Sequence, residues 1–155
     1  MQQYADVALA GLRLKSTPED VRSMPMTGAG TVSDGTAVCD AGNGEQCAKP
    51  DGVLRPVGIV VFQNIGKNGT GADGKEAYKQ HDIVPVMRVG RVWVKPNAAV
   101  TATGGAVYVR TASATTEAPL GSLQTSATNG TLLANATWDS ISNADGLAIV
   151  QLRGA

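Results

Sequence analysis

Apolar and polar positions alternate through residues 81–110, HDIVPVMRVGRVWVKPNAAVTATGGAVYVR. Apolar residues recur at every second position and Val dominates, a pattern that predicts two or three β-strands and not a helix. Glycines indicate a turn at Gly90 and another at Gly104-Gly105. We expect the rest of the chain to be organised around this sheet.

The two faces of this stretch differ in character, because successive side chains of a strand point to opposite faces. Before Gly90, one face carries Ile83, Met87 and Val89 and the other carries Val84, Val86 and Arg88. After Gly90, Val92 and Val94 share a face, and the opposite face carries Arg91, Trp93 and Lys95. That second face suits a surface that contacts another molecule.

The N-terminal 23 residues have little apolar pattern after Val7, Leu9 and Leu12. Ser16 or Thr17 before Pro18 and an acid resembles a helix start. A single helical turn is one interpretation, and an extended arm that lies on a neighbouring molecule is the other. We therefore predict an N-terminal arm, residues 1–23, and one β domain, residues 24–155.

The first half of the β domain is punctuated by turn signals eight or nine residues apart, Asp34-Gly35, Asn43-Gly44 and Asp51-Gly52. This spacing is typical of a β-meander. Short strands are predicted at 36–38 and 57–62, and the second is apolar enough to be fully buried.

Residues 64–80 form a polar loop that is either a functional projection or a flexible excursion. Residues 69–75, GTGADGK, have the glycine and lysine spacing of a nucleotide-binding P-loop. Glu76 stands where that motif needs Ser or Thr for magnesium, and no helix pattern follows. An exposed hairpin tip is the favoured interpretation.

The C-terminal third contains a Ser/Thr/Ala-rich connection at 111–130, which suits a long loop or a loosely paired edge strand. Some apolar pattern returns at 131–140. Residues 145–153 form a nearly continuous apolar strand, which predicts a position in the middle of a sheet.

Composition limits the function. A length of 155 residues suits a single domain, and 13 basic side chains balance 13 acidic ones, which argues against nucleic-acid binding. Charged residues make up only 17% of the chain, a composition that permits burial against another protein without requiring it. No leader or long apolar run is visible, so we expect a soluble chain made in the cytoplasm, with no membrane partner.

Reactive side chains are few. One His and two Cys cannot build a four-ligand zinc site, so no metal or cofactor is predicted. Cys39 and Cys47 are either free thiols, which a reducing cytoplasm favours, or a small disulfide loop. His81 has only Asp82 beside it in sequence, so a structural role is favoured over a catalytic one.

The order of these segments resembles that of the bacteriophage capsid cement, or head-decoration, proteins, over about residues 24–155. Residues 86–94, VMRVGRVWV, are similar to the family pattern V-x-R-x-G-R-V-W-V, and residues 105–110 to its next strand. The resemblance implies a mainly β fold, a small antiparallel β-barrel or sandwich, jelly-roll or β-tulip-like, with an extended N-terminal arm and long loops.

The resemblance further implies a structural virion protein without enzymatic activity, made in the host cytoplasm. It would sit on the outer surface of the expanded head and bridge adjacent subunits of the major capsid protein. Self-association is expected, with a homotrimer favoured and a homodimer as the alternative. A phage tail or baseplate component and a small carbohydrate-binding β-sandwich are the competing interpretations.

Candidate contact residues lie in the arm, in the loop and on the polar sheet face. No catalytic, cofactor-binding or metal-binding residue is predicted. The candidates are Gln2, Tyr4, Val7, Leu9, Leu12, Arg13, Lys67, Lys75, Tyr78, Arg88, Arg91 and Trp93.

Overall fold

The computed structural model describes residues 9–15 and 18–153, and every regular element among them is a β-strand. This confirms the predicted all-β fold. No helix in this part of the chain is long and apolar enough to span a membrane. The strands are β1 (Arg13–Leu14), β2 (Asp20–Thr27), β3 (Ala37–Asp40), β4 (Cys47–Ala48), β5 (Pro56–Val60), β6 (Gly69–Thr70), β7 (Glu76–Ala77), β8 (Ile83–Val94), β9 (Ala106–Arg110), β10 (Leu123–Gln124), β11 (Gly130–Trp138) and β12 (Ala148–Arg153).

Strands β2, β4, β3, β5 and the first half of β8 close into a small barrel. The ring closes on β8, where Met87 pairs with Val21 on one side and with Ile59 on the other. The β2–β4 pair is parallel and the other pairs of the ring are antiparallel. Alternate side chains fill the interior: Met24, Met26, Val38, Cys47, Val60, Val84 and Val86, with Val32 and Tyr78 packed among them.

The second half of β8 belongs to an open sheet in the order β10, β9, β11, β12, β8, with β1 paired on the far side of β8. Strand β12 lies between β11 and β8, which confirms its predicted position inside a sheet. The inner face of this sheet packs on β3 and β5, outside the barrel. The shared core contains Ala37, Ile59, Val61, Met87, Val92, Val94, Val107, Val109, Leu123, Leu133, Trp138, Val150 and Leu152.

The predicted turn at Gly90 is wrong, because β8 runs through it without interruption. Asp20 pairs with Val89 and the next residue, Val21, pairs with Met87, so Arg88 is an extra residue in β8. A β-bulge exchanges the faces to which odd- and even-numbered side chains of a strand point. Even-numbered residues of β8 therefore point into the barrel before the bulge, at Val84 and Val86, and into the shared core, outside the barrel, after it, at Val92 and Val94.

Glycine is required where β5 crosses β8. A Cβ atom on Gly58 would lie 2.4 Å from the Met87 carbonyl oxygen and 2.7 Å from Val86 Cγ1. Only the absence of a side chain lets these backbones approach. The predicted strand over 57–62 is therefore a barrel strand, but it ends at Val60, and Phe62 is 41% exposed instead of buried.

Of the two interpretations of the segment around Pro18, the described residues do not show the helical turn. Pro18 lies in a bend, and β2 begins two residues later at Asp20, so this strand crosses the proposed boundary at residue 24. In the Ser/Thr/Ala-rich connection, β10 pairs with β9 at the edge of the open sheet, as one of the two interpretations predicted.

The two cysteines are buried free thiols. Cys39 pairs with Ala48 and Cys47 pairs with Asp40. Cross-strand partners share a face, and neighbours along a strand do not, so the two thiols point to opposite faces of the β3–β4 hairpin. A disulfide would require this register to slip by one residue.

Candidate functional site

The predicted arm enters the described structure at residues 9–12, which we call the arm root. The Gly11 amide donates to the Trp93 carbonyl at 2.7 Å, and the Phe62 amide donates to the Gly11 carbonyl at 2.7 Å. Gly11 has φ +85°, and a Cβ atom there would lie 2.9 Å from the Phe62 nitrogen. The arm root therefore bridges β8 and the end of β5, and it requires glycine at its centre.

A buried ion pair holds the loop 64–80 beside the arm root. Lys67 Nζ lies 2.6 Å from Asp34 Oδ2, and their side chains are only 7% and 16% exposed. The rings of Phe62 and Tyr78 flank the ammonium, with centroids at 5.1 and 5.7 Å. Burial raises the pKa of Asp34, and the hydrogen bond and charge of Lys67 oppose that rise.

The Asp34-Gly35 turn touches the arm root directly. A Cβ atom on Gly35 would lie 2.7 Å from that of Ala10. Since Lys67 holds Asp34, the loop, this turn and the arm root form one packed unit. The sequence placed them in separate segments, and the structure brings them together.

A second buried carboxylate, Asp82, fixes the other end of the loop. It accepts hydrogen bonds from the amide and side chain of Asn68, at 3.0 and 2.7 Å, and from the Lys79 amide at 2.9 Å. Burial acts to raise the pKa of Asp82, but these hydrogen bonds outweigh it and the pKa is lowered. Between these anchors, β6 and β7 form a hairpin, which confirms the exposed hairpin tip.

The open sheet presents one face away from the shared core, which we call the outer face. Its side chains alternate with core residues along β8, β9, β11 and β12. Trp93 pairs with Ile149, Arg91 with Gln151, and Gln151 in turn with Thr137. The outer face comprises Arg91, Trp93, Tyr108, Arg110, Leu132, Thr137, Ile149, Gln151 and Arg153.

The arm and the outer face meet at β8. The Trp93 amide donates to the Leu12 carbonyl at 2.9 Å, and Leu14 pairs with Arg91. Arg91 also contacts Asp139, with Nη2 2.6 Å from Oδ2. Two of the predicted contact residues, Arg91 and Trp93, therefore lie beside the predicted arm.

The predicted contact residues divide into four groups. Leu9, Arg13 and Lys75 are exposed, and Leu12, Arg88, Arg91 and Trp93 are partly buried. Gln2, Tyr4 and Val7 lie outside the described residues. The prediction for Tyr78 and Lys67 needs correction: Tyr78 is fully buried in the barrel and the Lys67 side chain is held by Asp34, so neither is available to a partner.

Exposed apolar side chains near the loop were missed, among them Ile65, Ile83 and Phe62, which are 73%, 50% and 41% exposed. Ile65 and Ile83 line a shallow groove with Gln63 and His81. An isoleucine isolated between Asn64 and Gly66 in a polar loop was the available signal. For Ile83 the alternation was misleading, since it shares its parity with buried Met87.

The described residues give little support for catalysis. His81 is exposed, with φ 76°, and its neighbour Asp82 is occupied by the loop. Within residues 9–15 and 18–153 there is no group of three His, Cys, Asp or Glu side chains that could hold a metal ion. Burial is the main cause that raises the pKa of Cys39 to about 12 and that of Cys47 to about 11, so both thiols stay protonated at neutral pH.

Comparisons with known proteins point to phage heads. A family model described as "Structural cement protein (E217 gp24/Pam3 gp6)" matches residues 1–153. A solved chain from "The capsid of Myoviridae Phage XM1" has a similar fold, with a TM-score of 0.69 and 18% sequence identity, covering 94% of this chain and 89% of that chain. A comparison with curated protein sequences gives no match.

Proposed function

This chain belongs to the phage structural cement protein family, and from that premise we propose how it acts. It binds the outer surface of the expanded head, bridges adjacent subunits of the major capsid protein, and so stabilises the shell. Membership of this family implies a structural role in the phage capsid and not an enzymatic one.

The observation that best supports bridging is the junction of three surfaces around β8. The arm root bonds to Trp93, the loop is held against the arm root through Asp34 and Lys67, and the outer face begins at Arg91. A protein that joins two neighbours needs contact surfaces in a fixed relation, because each surface that must be ordered on binding costs affinity. Here the barrel supplies that fixed relation.

The proposed contacts are the predicted residues other than Lys67 and Tyr78. In the arm they are Gln2, Tyr4, Val7, Leu9, Leu12 and Arg13, and elsewhere Lys75, Arg88, Arg91 and Trp93. Trp and Arg are the residue types most often found as energetic anchors of interfaces. We favour a homotrimer on the shell, with a homodimer as the alternative, since a subunit among identical neighbours must present the same surface repeatedly.

Binding to heads tests the proposal. Purified protein is added to expanded heads that lack it, and cosedimentation gives the bound amount per major capsid subunit. We expect saturation at a fixed ratio and heads that resist heat better when decorated.

Trp93→Ala should weaken binding about tenfold or more. Val53→Ala, at an 87% exposed position in the connection between β4 and β5, is the control and should bind normally. Folded wild-type protein that does not bind expanded heads contradicts the proposal.

A further inference from the structure

We propose that the outer face docks electrostatically on an acidic, flat surface of the shell protein. This inference rests on the proposed function and specifies the chemistry of its partner. The net charge of the chain is zero, but the charges are unevenly distributed over the molecule.

The strands that carry the outer face contain arginine and no acidic residue. Residues 88–94 of β8, with β9, β11 and β12, include Arg88, Arg91, Arg110 and Arg153 and no Asp, Glu or Lys. The acid that pairs with Arg91, Asp139, directly follows β11. Arg110 and Arg153 make no salt bridge among the described residues.

Neutral acceptors hold the guanidinium groups of Arg110 and Arg153 in place. Arg110 Nη2 donates to the Ser113 carbonyl at 2.8 Å, and Arg153 Nη1 donates to Thr137 Oγ1 at 2.9 Å. These bonds orient the groups without neutralising them. Each guanidinium has five N–H donors, so donors remain for a carboxylate of a partner.

Acidic residues are concentrated in the other half of the molecule, where they serve the fold. Asp34 pairs with Lys67, Asp82 accepts three hydrogen bonds, and Asp40 and Asp51 each accept two backbone amides in turns. The amides bound to Asp40 and Asp51 lower the pKa of both carboxyls. These four carboxylates are therefore committed to the fold, while the arginines of the outer face are not.

An acidic protein surface fits this face better than the other classes of partner. The face also carries Trp93, Tyr108 and Leu132, the last 50% exposed, so a partner must bury apolar area as well as meet positive charge. Complementary charge steers encounter and selects register, and guanidinium groups pair with carboxylates in a planar geometry. Double-stranded DNA would call for a larger excess of positive charge than the three arginines left in these strands after Asp139 is counted.

The test compares the double variant Arg110→Glu/Arg153→Glu with Arg55→Glu, an exposed position in the barrel. Each protein is titrated onto expanded heads at low and high salt, and a melting curve verifies its fold. The double variant should bind about tenfold or more weakly at low salt, while Arg55→Glu stays within about twofold of wild type. Arg110→Lys/Arg153→Lys should retain most binding, and salt should weaken wild type more than the double Glu variant.

Each other outcome overturns the inference. If the double Glu variant binds heads like wild type, the outer face is not the docking face. If Arg55→Glu weakens binding equally, the effect is one of total charge and not of this face. If the arginines retain double-stranded DNA in a gel-shift assay while head binding is unaffected, the partner is nucleic acid. If wild type itself does not bind, the proposed function fails and the inference fails with it.

Discussion

The barrel and the open sheet use their charged residues in opposite ways. In the barrel, Asp34, Asp40, Asp51 and Asp82 are each held by an ammonium or by amides, and the charge serves the fold. In the open sheet the core is apolar, and arginine lies on the outer face. The sheet therefore presents arginine on strands that contain no carboxylate, and the barrel acts as its support.

This division is physically reasonable for a small protein that has to be rigid and adhesive at once. A closed barrel has no free edge, so it can hold the loop and the arm root without exposing backbone groups to unwanted pairing. The open sheet keeps one face available. Strand β8 belongs to both and couples them, and its bulge at Arg88 makes that double membership possible.

The largest effect is expected from a substitution where the backbones of β5 and β8 approach most closely. Gly58→Ala places a Cβ atom 2.4 Å from a carbonyl oxygen on β8, where neither backbone can move without opening the ring. We expect a loss of more than about 4 kcal/mol of unfolding free energy, or no folded protein. Urea denaturation measures it. Gly105→Ala is the control, because its nearest contact would be an ordinary 3.9 Å to Trp138, and it should be close to neutral.

Next in size is the loss of the ion pair that holds the loop. Lys67→Met leaves Asp34 buried without its partner and should cost about 3 kcal/mol. The double variant Lys67→Met/Asp34→Leu removes both charges and should recover most of that loss. Denaturation of the two variants measures the difference. Equal stability of Lys67→Met and wild type would show that the pair does not hold the loop.

Alkaline pH should loosen the barrel before the sheet. Burial raises the pKa of Cys39 from 9.0 to about 12 and that of Cys47 to about 11, and of Tyr78 from 10.0 to about 12. A raised pKa means that the folded state keeps its protons longer, so this stability is complete below pH 9 and is lost between pH 9 and 12. Each thiol should cost about 1 kcal/mol by pH 10.

Two probes separate the halves in that experiment. Cys39 and Cys47 lie in barrel strands, and Trp93 and Trp138 lie in sheet strands. Reaction with a thiol reagent should accelerate at a lower pH than the change in tryptophan fluorescence. Coincident changes would mean that the molecule unfolds as one unit and that the barrel is not less stable than the open sheet at alkaline pH.

The smallest effect on stability is expected on the outer face. The Arg91–Asp139 pair is 35% and 30% exposed, so Arg91→Gln should cost less than about 1 kcal/mol. Thermal denaturation measures this, with Asp139→Asn as the matched variant. A loss comparable to that of Lys67→Met would show that the outer face also serves the fold.

The sequence predicted the parts of the fold that depend on local alternation. Val92 and Val94 are buried as expected, and β12 lies inside a sheet because its apolar run is continuous. The bulge could not be distinguished from a turn, because both interrupt the parity and Gly90 is compatible with either. Nor could a pairing over 33 positions, such as that of Asp34 and Lys67, be read from spacing.

The candidate site was predicted only in part, because only some of its residues follow from local alternation. Arg91 and Trp93 follow directly from alternation within one strand. Arg110, Thr137 and Arg153 join them only through the register of β9, β11 and β12, which depends on contacts distant in sequence. The concentration of arginine on the outer face could not be predicted, because the equal totals of basic and acidic residues carry no information on where each lies in the fold.

We propose that the chain clamps neighbouring shell subunits from outside, and an electron-microscopy reconstruction of expanded heads, with and without added protein, would show this. We expect new density on the outer surface, in contact with two major capsid subunits, into which the outer face docks toward the shell. Density confined to a single subunit, or on the inner surface, would contradict it.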